Sequence, residues 1–298
     1  MKKPTNKKGR GGVTKVPASK QGRRRAAPLR GGDAKIEPDI FQAAGRSGQR
    51  IDGEVLIDAH AHFGHGPDFP ILHPTAKSLV ASMDRLGIQL SCVSSIQAIF
   101  GDAEHGNALV ADGVKEFPDR IFGYLVVDVG YPDKVAAQLA GGRAAGFRGV
   151  KVWSYGARPG LPYSHPNYGP VFAYANEHAM PVLAHVFGPE LDELEAHIRQ
   201  YPRIRWLLAH IGSAELEKYM KFAREFPTVY VELCLSACPR GLIEHLVAAG
   251  LEDKVIWGSD AVFLDQAPQM GRVLFAQIPE KAKRKILGLN AAKALGLK

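Results

Sequence analysis

Cysteine is scarce in this chain, with three residues (Cys92, Cys234 and Cys238) among 298. An odd, sparse set excludes a disulfide framework and points to a reducing compartment, with buried small hydrophobes as the default role. Long apolar runs are missing as well. No stretch of about 18 apolar residues occurs, so no transmembrane helix is expected. Acids are rare at the start: fourteen of the 38 Lys and Arg side chains, but only Asp33, Glu37 and Asp39 of the 30 acids, fall in the first fifty residues. The formal charge of +8 therefore divides into a +11 N-terminal stretch and a remainder of −3. Large apolar side chains are also lacking before Ile40 and Phe41, so residues 1–48 offer too little burial to offset their ordering entropy. They are expected to form a disordered basic tail. Arg23-Arg24-Arg25 precedes no apolar h-region, which argues against twin-arginine export and leaves a cytoplasmic protein as the expectation.

What is present begins at Glu54. Short β-branched and apolar runs alternate with longer helical patterns eight times, and most of the strand runs are continuously apolar, as parallel strands covered on both sides require. Strands are expected at residues 54–59, 91–96, 121–128, 149–153, 181–185, 204–210, 228–234 and 255–260. Helices are expected between them, closing with two C-terminal segments at 267–277 and 280–295. Pro118, Pro202 and Pro227 stop helices before the next strand, and Gly146 and Gly250 suit helix C-caps. Eight such units in about 245 residues fit a single domain over residues 49–298 with the rhythm of a (β/α)8 TIM barrel. A doubly wound open sheet is the competitor, but no Gly-rich dinucleotide fingerprint follows the first strand.

The chemistry-bearing residues gather at strand ends. Residues two apart on a strand share a face, so His60 and His62 point together into the barrel from its C-terminal rim. Three further strands finish in metal-capable side chains, at His185, His210 and Asp260. Five such residues at the ends of four strands converge on one mouth if the barrel closes. Other residues have plainer readings. His65 and His73 follow the first strand and read as surface loop residues as readily as substrate contacts. His105, His165, His178, His197 and His245 read as solvated or capping side chains. Glu232 faces the mouth only if its strand has one of two phases. Trp153, Tyr155, Phe187 and Phe263 follow strand ends and can wall a planar pocket or pack the core. Arg148 and Arg158 flank Lys151 in sequence and suggest an anionic substrate.

The set IDAHAH, GVKVW, VLAH, LLAHIG, VIWGSD and the closing KILGLNAAKALGL resembles the amidohydrolase superfamily, in the amidohydrolase-related branch of metal-dependent hydrolases and non-oxidative decarboxylases. The resemblance runs from about Glu54 to Leu297 and leaves out the basic stretch. It implies that His60, His62, His185 and Asp260 bind a divalent metal, with His210 binding a second metal or acting on the substrate. Three imidazoles and a carboxylate suit Zn²⁺, with Mn²⁺ among the alternatives. It further implies that Asp260 moves a proton while His210 orients water or steadies developing charge. In binuclear relatives a lysine at the strand of Lys151 is carboxylated; in this branch a single metal is commoner, which leaves Lys151 to bind a substrate carboxylate or to pair at the rim. The activity expected is hydrolysis of a small amide, lactone or ester. Decarboxylation of an aromatic or muconate-like acid is the alternative, and binding of nucleic acid or an anionic surface through the tail is the reading from another class. The partners implied are a small-molecule substrate, anionic if the cations face it, and a homodimer; neither a membrane nor, apart from the tail, nucleic acid is expected.

Overall fold

The computed structural model describes residues 39–67, 70–154, 160–234, 239–262 and 264–297. The expected tail, apart from its last ten residues, lies outside them, as do Cys238, Tyr155, Arg158 and Phe263. The first described element is a helix, α1 (Ile40–Ser47), inside the stretch expected to be tail. Its cause is local. Asp39 caps the first turn by accepting from the Gln42 N–H, Gly48 closes the last turn at a φ of 65°, and Phe41 is fully buried. The Lys283 ammonium, itself buried, donates to Asp39 and to the Leu274 carbonyl, which fastens this turn to the C-terminal helices. One buried aromatic and one ion pair on a buried lysine thus hold residues 40–47, inside the stretch expected to be tail, in a helix.

Eight parallel strands follow in sequential order: β1 (Ile57–Phe63), β2 (Leu90–Ser95), β3 (Ile121–Val126), β4 (Gly149–Trp153), β5 (Pro181–His185), β6 (Arg205–Leu208), β7 (Val229–Glu232) and β8 (Val255–Ile256). The first and last strands meet. Ala61 bridges Ala261, the Ala59 N–H donates to the Trp257 carbonyl, and the Ser259 and Asp260 N–H groups donate to the His60 carbonyl. The sheet is a TIM barrel, as expected. Between the strands run α2 (Ala76–Leu86), α3 (Ile96–Ile99), α4 (Ala103–Glu116), α5 (Val135–Ala144), α6 (Gly169–Glu177), α7 (Glu190–Gln200), α8 (Leu216–Glu225) and α9 (Leu242–Ala248). After β8 come α10 (Gln266–Leu274), α11 (Glu280–Arg284), a π-helical turn at Lys285–Leu289 and α12 (Asn290–Leu295).

Two apolar layers hold this arrangement. Side chains such as Leu79, Phe172, Trp206, Phe222 and Trp257 fill the space between strands and helices. A second cluster fills the lower barrel with Ile57, Leu90, Phe122, Tyr124, Leu207, Tyr230 and Ile256, and Ala291, Ala294 and Leu295 of α12 join it. α12 therefore plugs the bottom, and the open mouth is the opposite, C-terminal rim. The closing motif earns its place through Gly288. A Cβ there would lie 1.9 Å from the Val55 carbonyl oxygen, so the π-turn and the chain entering β1 touch backbone to backbone. Gly288→Ala is expected to destabilise the protein by about 1–3 kcal/mol through overpacking, read as a lower midpoint in urea with an unchanged slope. An unchanged midpoint would show that this contact opens without cost.

Candidate metal centre at the barrel mouth

β1 is not a uniform strand. Ile57 and Ala59 belong to the inner cluster, yet His60 and His62 also reach the site, which strict alternation from Ala59 forbids. The pairing with β2 shows how this is done: the register slips between Asp58 and Ala61, so that one extra residue on β1 reverses the phase. A bulge of this kind beside a site re-aims side chains. Ala61 and Phe63 then pack outward with the helices. β6 and β8 use another device, since His210 and Asp260 follow their strands with φ of 65° and 60°, in the left-handed region that non-glycine residues seldom enter. Both side chains turn into the mouth at the cost of local backbone energy, a pattern found at functional sites. Gly258 allows β8 to come this close, because a Cβ there would meet His60 Cβ at 2.5 Å and Glu232 Oε1 at 2.6 Å.

The resulting cluster is tight and buried. His62 Nε2 lies 3.2 Å from His60 Nε2 and 3.1 Å from Asp260 Oδ1, while His60 Nε2 is 3.5 Å from the same carboxylate oxygen. Lys151 Nζ, 1 % exposed, donates to His60 Nε2 at 3.0 Å. Behind this layer, Glu232 Oε2 accepts from His60 Nδ1 at 3.1 Å and the Ser94 hydroxyl meets His62 Nδ1 at 3.0 Å. His210 Nδ1 donates to the Cys234 carbonyl, which makes its Nε2 an acceptor for His185 Nδ1–H at 3.0 Å. These tautomers are assigned from the partners. They leave His60 Nε2 and His185 Nε2 as lone pairs, and the Ser94 hydroxyl, able to donate or accept, lets His62 present one at Nε2 as well. Orientation of imidazoles by outward hydrogen bonds is the arrangement that metal sites use.

Electrostatics agree with neutral rings. Burial drives the His60, His62 and His185 imidazoles below their ordinary pKa, with the Lys151 charge adding to the effect on each, and His210 falls to about 4 from the same two causes against the opposing pull of Asp260. Burial pushes Asp260 up, while its hydrogen bond with His62 and the Lys151 charge pull the carboxylate below its usual range. Burial lowers Lys151 to about 8 and lifts Glu232 to about 8.

The predicted residues thus come together, though not as one set of four. Among the described residues, His60, His62 and Asp260 form a group whose ligand atoms all lie within 4.8 Å of one another, and His60, His210, Glu232 and Cys234 form a second. His185 belongs to neither; it pairs with His210 and stacks on Trp153 at 3.8 Å between ring centroids. Phe187, 44 % exposed, stacks on His210 at 5.0 Å, so two of the expected aromatic walls are in place. Lys151 sits within the cluster, which removes the reading of a rim ion pair. Arg148 is a correction. It precedes β4 at the opposite end of the barrel and lies over the Phe122 ring, so nearness to Lys151 in sequence does not bring it to the mouth. Among the other histidines, His65, His73, His105 and His245 are exposed. His165 caps the turn before α6, His178 lies edge-on to Tyr174, and His197 donates to the Tyr163 carbonyl. Sequence reasoning missed Asp58, whose buried carboxylate accepts from Ser259 and Gln266; its place in IDAHAH, two residues before His60, was the available signal.

A family model described as Amidohydrolase matches residues 57–297. The chain belongs to the amidohydrolase family. It is accordingly an enzyme. No curated protein sequence matches this amidohydrolase, but solved structures do. The 2,6-dihydroxybenzoate decarboxylase from Rhizobium aligns with a TM-score of 0.68 at 17% identity over 82% of this chain and 99% of its own. A probable 2-pyrone-4,6-dicarboxylic acid hydrolase from Acinetobacter baumannii, with citric acid bound, aligns at 0.63 and 17% identity over 81% of this chain and 99% of its own. A 5-carboxyvanillate decarboxylase from Novosphingobium aromaticivorans with bound manganese gives 0.63 and 16% identity over 82% and 98%. At these identities the likeness establishes the barrel, and the reaction has to be argued from this amidohydrolase's own residues. No helix among the described residues is long and apolar enough to cross a membrane.

Proposed function

We propose that the protein is a metal-dependent hydrolase of a small carbonyl compound, an amide, lactone or ester. The observation that carries this reading is the convergence of His60 Nε2, His62 Nε2 and Asp260 Oδ1, each imidazole backed by its own partner on the far nitrogen. These three residues, with His185 through its Nε2, are the proposed ligands. Neutral imidazoles and an ionised carboxylate are the donor set that Zn²⁺ prefers and Mn²⁺ accepts. A divalent cation held there supplies Lewis-acid activation of water and of the substrate carbonyl. The chain supplies the rest. Asp260, an acceptor of hydrogen bonds, takes the proton of the attacking water and returns it to the leaving group. His210 is engaged at both nitrogens, donating Nδ1–H to the Cys234 carbonyl and accepting from His185 at Nε2, so it orients water only by exchanging the His185 bond and has no proton to give a developing oxyanion. Lys151 supplies the positive charge for that oxyanion or for a substrate carboxylate.

Decarboxylation is the second reading, and the aromatic wall favours it. Trp153, stacked on His185, and Phe187, stacked on His210 and edge-on to His185, set two aromatic side chains at a steep angle beside the cluster, where a flat aromatic acid can lie against one and meet the other edge-on. Proton delivery to carbon requires an acid at the outset, whereas in hydrolysis Asp260 first takes the proton of water and only then returns it; for that reason hydrolysis is placed first. The deciding experiment assays metal-free protein and protein restored with Zn²⁺ or Mn²⁺ on a panel of lactones, esters and amides, beside CO2 release from hydroxybenzoates and muconate-like acids. Turnover of the first panel that disappears on chelation and returns with metal is expected. Turnover confined to CO2 release would transfer the assignment to a decarboxylase, and full activity without metal would end both readings.

A further inference from the structure

Of the second group at the mouth, the chemistry above leaves the Cys234 thiol without a role. We propose that His210, Glu232 and Cys234 form a separate position for a soft or borderline cation, and that an ion bound there inhibits the enzyme. The proposal goes beyond the hydrolytic reading, because it concerns an ion additional to the one that reading needs. Its three side chains come from the ends of two adjacent strands. Glu232 is the last residue of β7, Cys234 lies two residues on and so shares its face, and His210 follows β6. Their ligand atoms, together with one of His60, lie mutually within 4.8 Å, and all four residues are buried. The backbone holds the pair on β7 in place, since the Cys234 N–H donates to Glu232 Oε1 at 2.6 Å. Tyr219, buried behind β6, donates its hydroxyl hydrogen between the Val186 and Ala209 carbonyls and braces the residue before His210.

The two positions differ in chemical preference. The group of His60, His62 and Asp260 offers nitrogen and oxygen only, a set that Mn²⁺ and Zn²⁺ both accept. The second adds a sulfur. Thiolate selects Zn²⁺ and softer ions over Mn²⁺, so hard and soft metals should part company here. Binding displaces the Cys234 thiol proton to solvent, the ordinary exchange of a proton for a metal ion. Inhibition follows from the shared neighbours. An ion on Glu232 takes the carboxylate that orients His60 through Nδ1, and an ion on His210 displaces the hydrogen bond by which His210 Nε2 holds His185. Loss of such an orienting partner weakens a metal site by about 10–100-fold.

The test uses the full chain loaded with one equivalent of Mn²⁺ and titrated with Cd²⁺, then with Zn²⁺. Cd²⁺ should produce an ultraviolet thiolate-to-metal charge-transfer absorption and bring the soft-metal content to roughly one additional ion per chain. Excess Zn²⁺ should inhibit while excess Mn²⁺ should not. Cys234→Ser should abolish the absorption and the Zn²⁺ inhibition while leaving Mn²⁺-supported activity and circular dichroism unchanged, and Cys234→Ala serves if the serine variant folds poorly. Absence of the absorption in the wild-type protein, or its persistence in both variants, would overturn the proposal. Those results leave the first position untouched: its failure would be read separately, as no metal lost from His62→Ala or Asp260→Ala.

Discussion

Asp260→Asn is expected to lower turnover by about 10²–10⁴-fold, the usual worth of a positioned general acid or base. Asparagine keeps the shape of the side chain and is among the few residues that tolerate a left-handed backbone, so the φ of 60° at this position survives the change. Its amide, with both an acceptor and a donor, can keep a hydrogen bond with His62 Nε2, now 3.1 Å from Asp260 Oδ1, in either tautomer. What it cannot do is take up a proton or carry the negative charge that His62, His210 and Lys151 surround. Two losses follow and can be separated. Metal affinity falls because one anionic ligand is gone, and this part is recovered by raising Zn²⁺ or Mn²⁺. The proton-transfer part remains at saturating metal and shows in kcat. A variant whose kcat returns to the wild-type value once metal is saturating would confine Asp260 to holding the ion, and another residue would have to move the proton.

The barrel was legible because most strands are apolar on both faces and several helices are closed by a proline or a glycine soon after their last turn. The stretches at 149–153 and 181–185 coincide with β4 and β5, and Gly146 and Gly250 sit in the left-handed caps expected of them. Site residues were legible where a chemical signal sat at a strand end, as at His60, His185, His210 and Asp260. Their directions were harder to read. Alternation does place His60 with His62, but it also places both opposite Ala59, and only the slipped register with β2 reconciles the two. β8 has just two residues, so alternation carries no information as far as Asp260; a left-handed turn aims that side chain. Glu232 was open in phase because both faces of β7 are apolar in sequence, while in space Tyr230, Glu232 and Cys234 share the inner face. Arg148 failed for a geometric reason. Three residues along a strand span about 10 Å, which separates the bottom of the barrel from its chemistry. The helix at 40–47 escaped notice because its stability comes from Phe41 and the Lys283–Asp39 pair, a contact more than two hundred residues away in sequence.

Asp58→Ala is expected to cost about 3 kcal/mol, from one or two buried donors left without acceptors at about 1–3 kcal/mol each. The fully buried carboxylate accepts from the Ser259 N–H at 3.0 Å, the Ser259 hydroxyl at 2.6 Å and the Gln266 amide at 2.8 Å. Burial raises its pKa to about 6, but these hydrogen bonds keep it ionised at neutral pH. The Ser259 hydroxyl can rotate to another acceptor; the backbone N–H cannot. The loss is not confined to stability, because this carboxylate ties β1 to the segment after β8. Ser259 and Asp260 both donate their N–H groups to the His60 carbonyl, so the same seam carries two of the proposed metal ligands on opposite sides. Loosening it is expected to weaken metal retention by about 10–100-fold, as other supporting contacts do. Asp58→Asn separates the two consequences. It keeps an oxygen for the Ser259 N–H but turns an amide donor toward Ser259 or Gln266, so stability should fall less than in the alanine variant while metal retention still drops. Denaturation midpoints and competition with a coloured chelator measure the two quantities. An alanine variant with wild-type stability would show that water replaces the carboxylate at this seam, and one that loses stability but keeps its metal would show that the ligands are held without it.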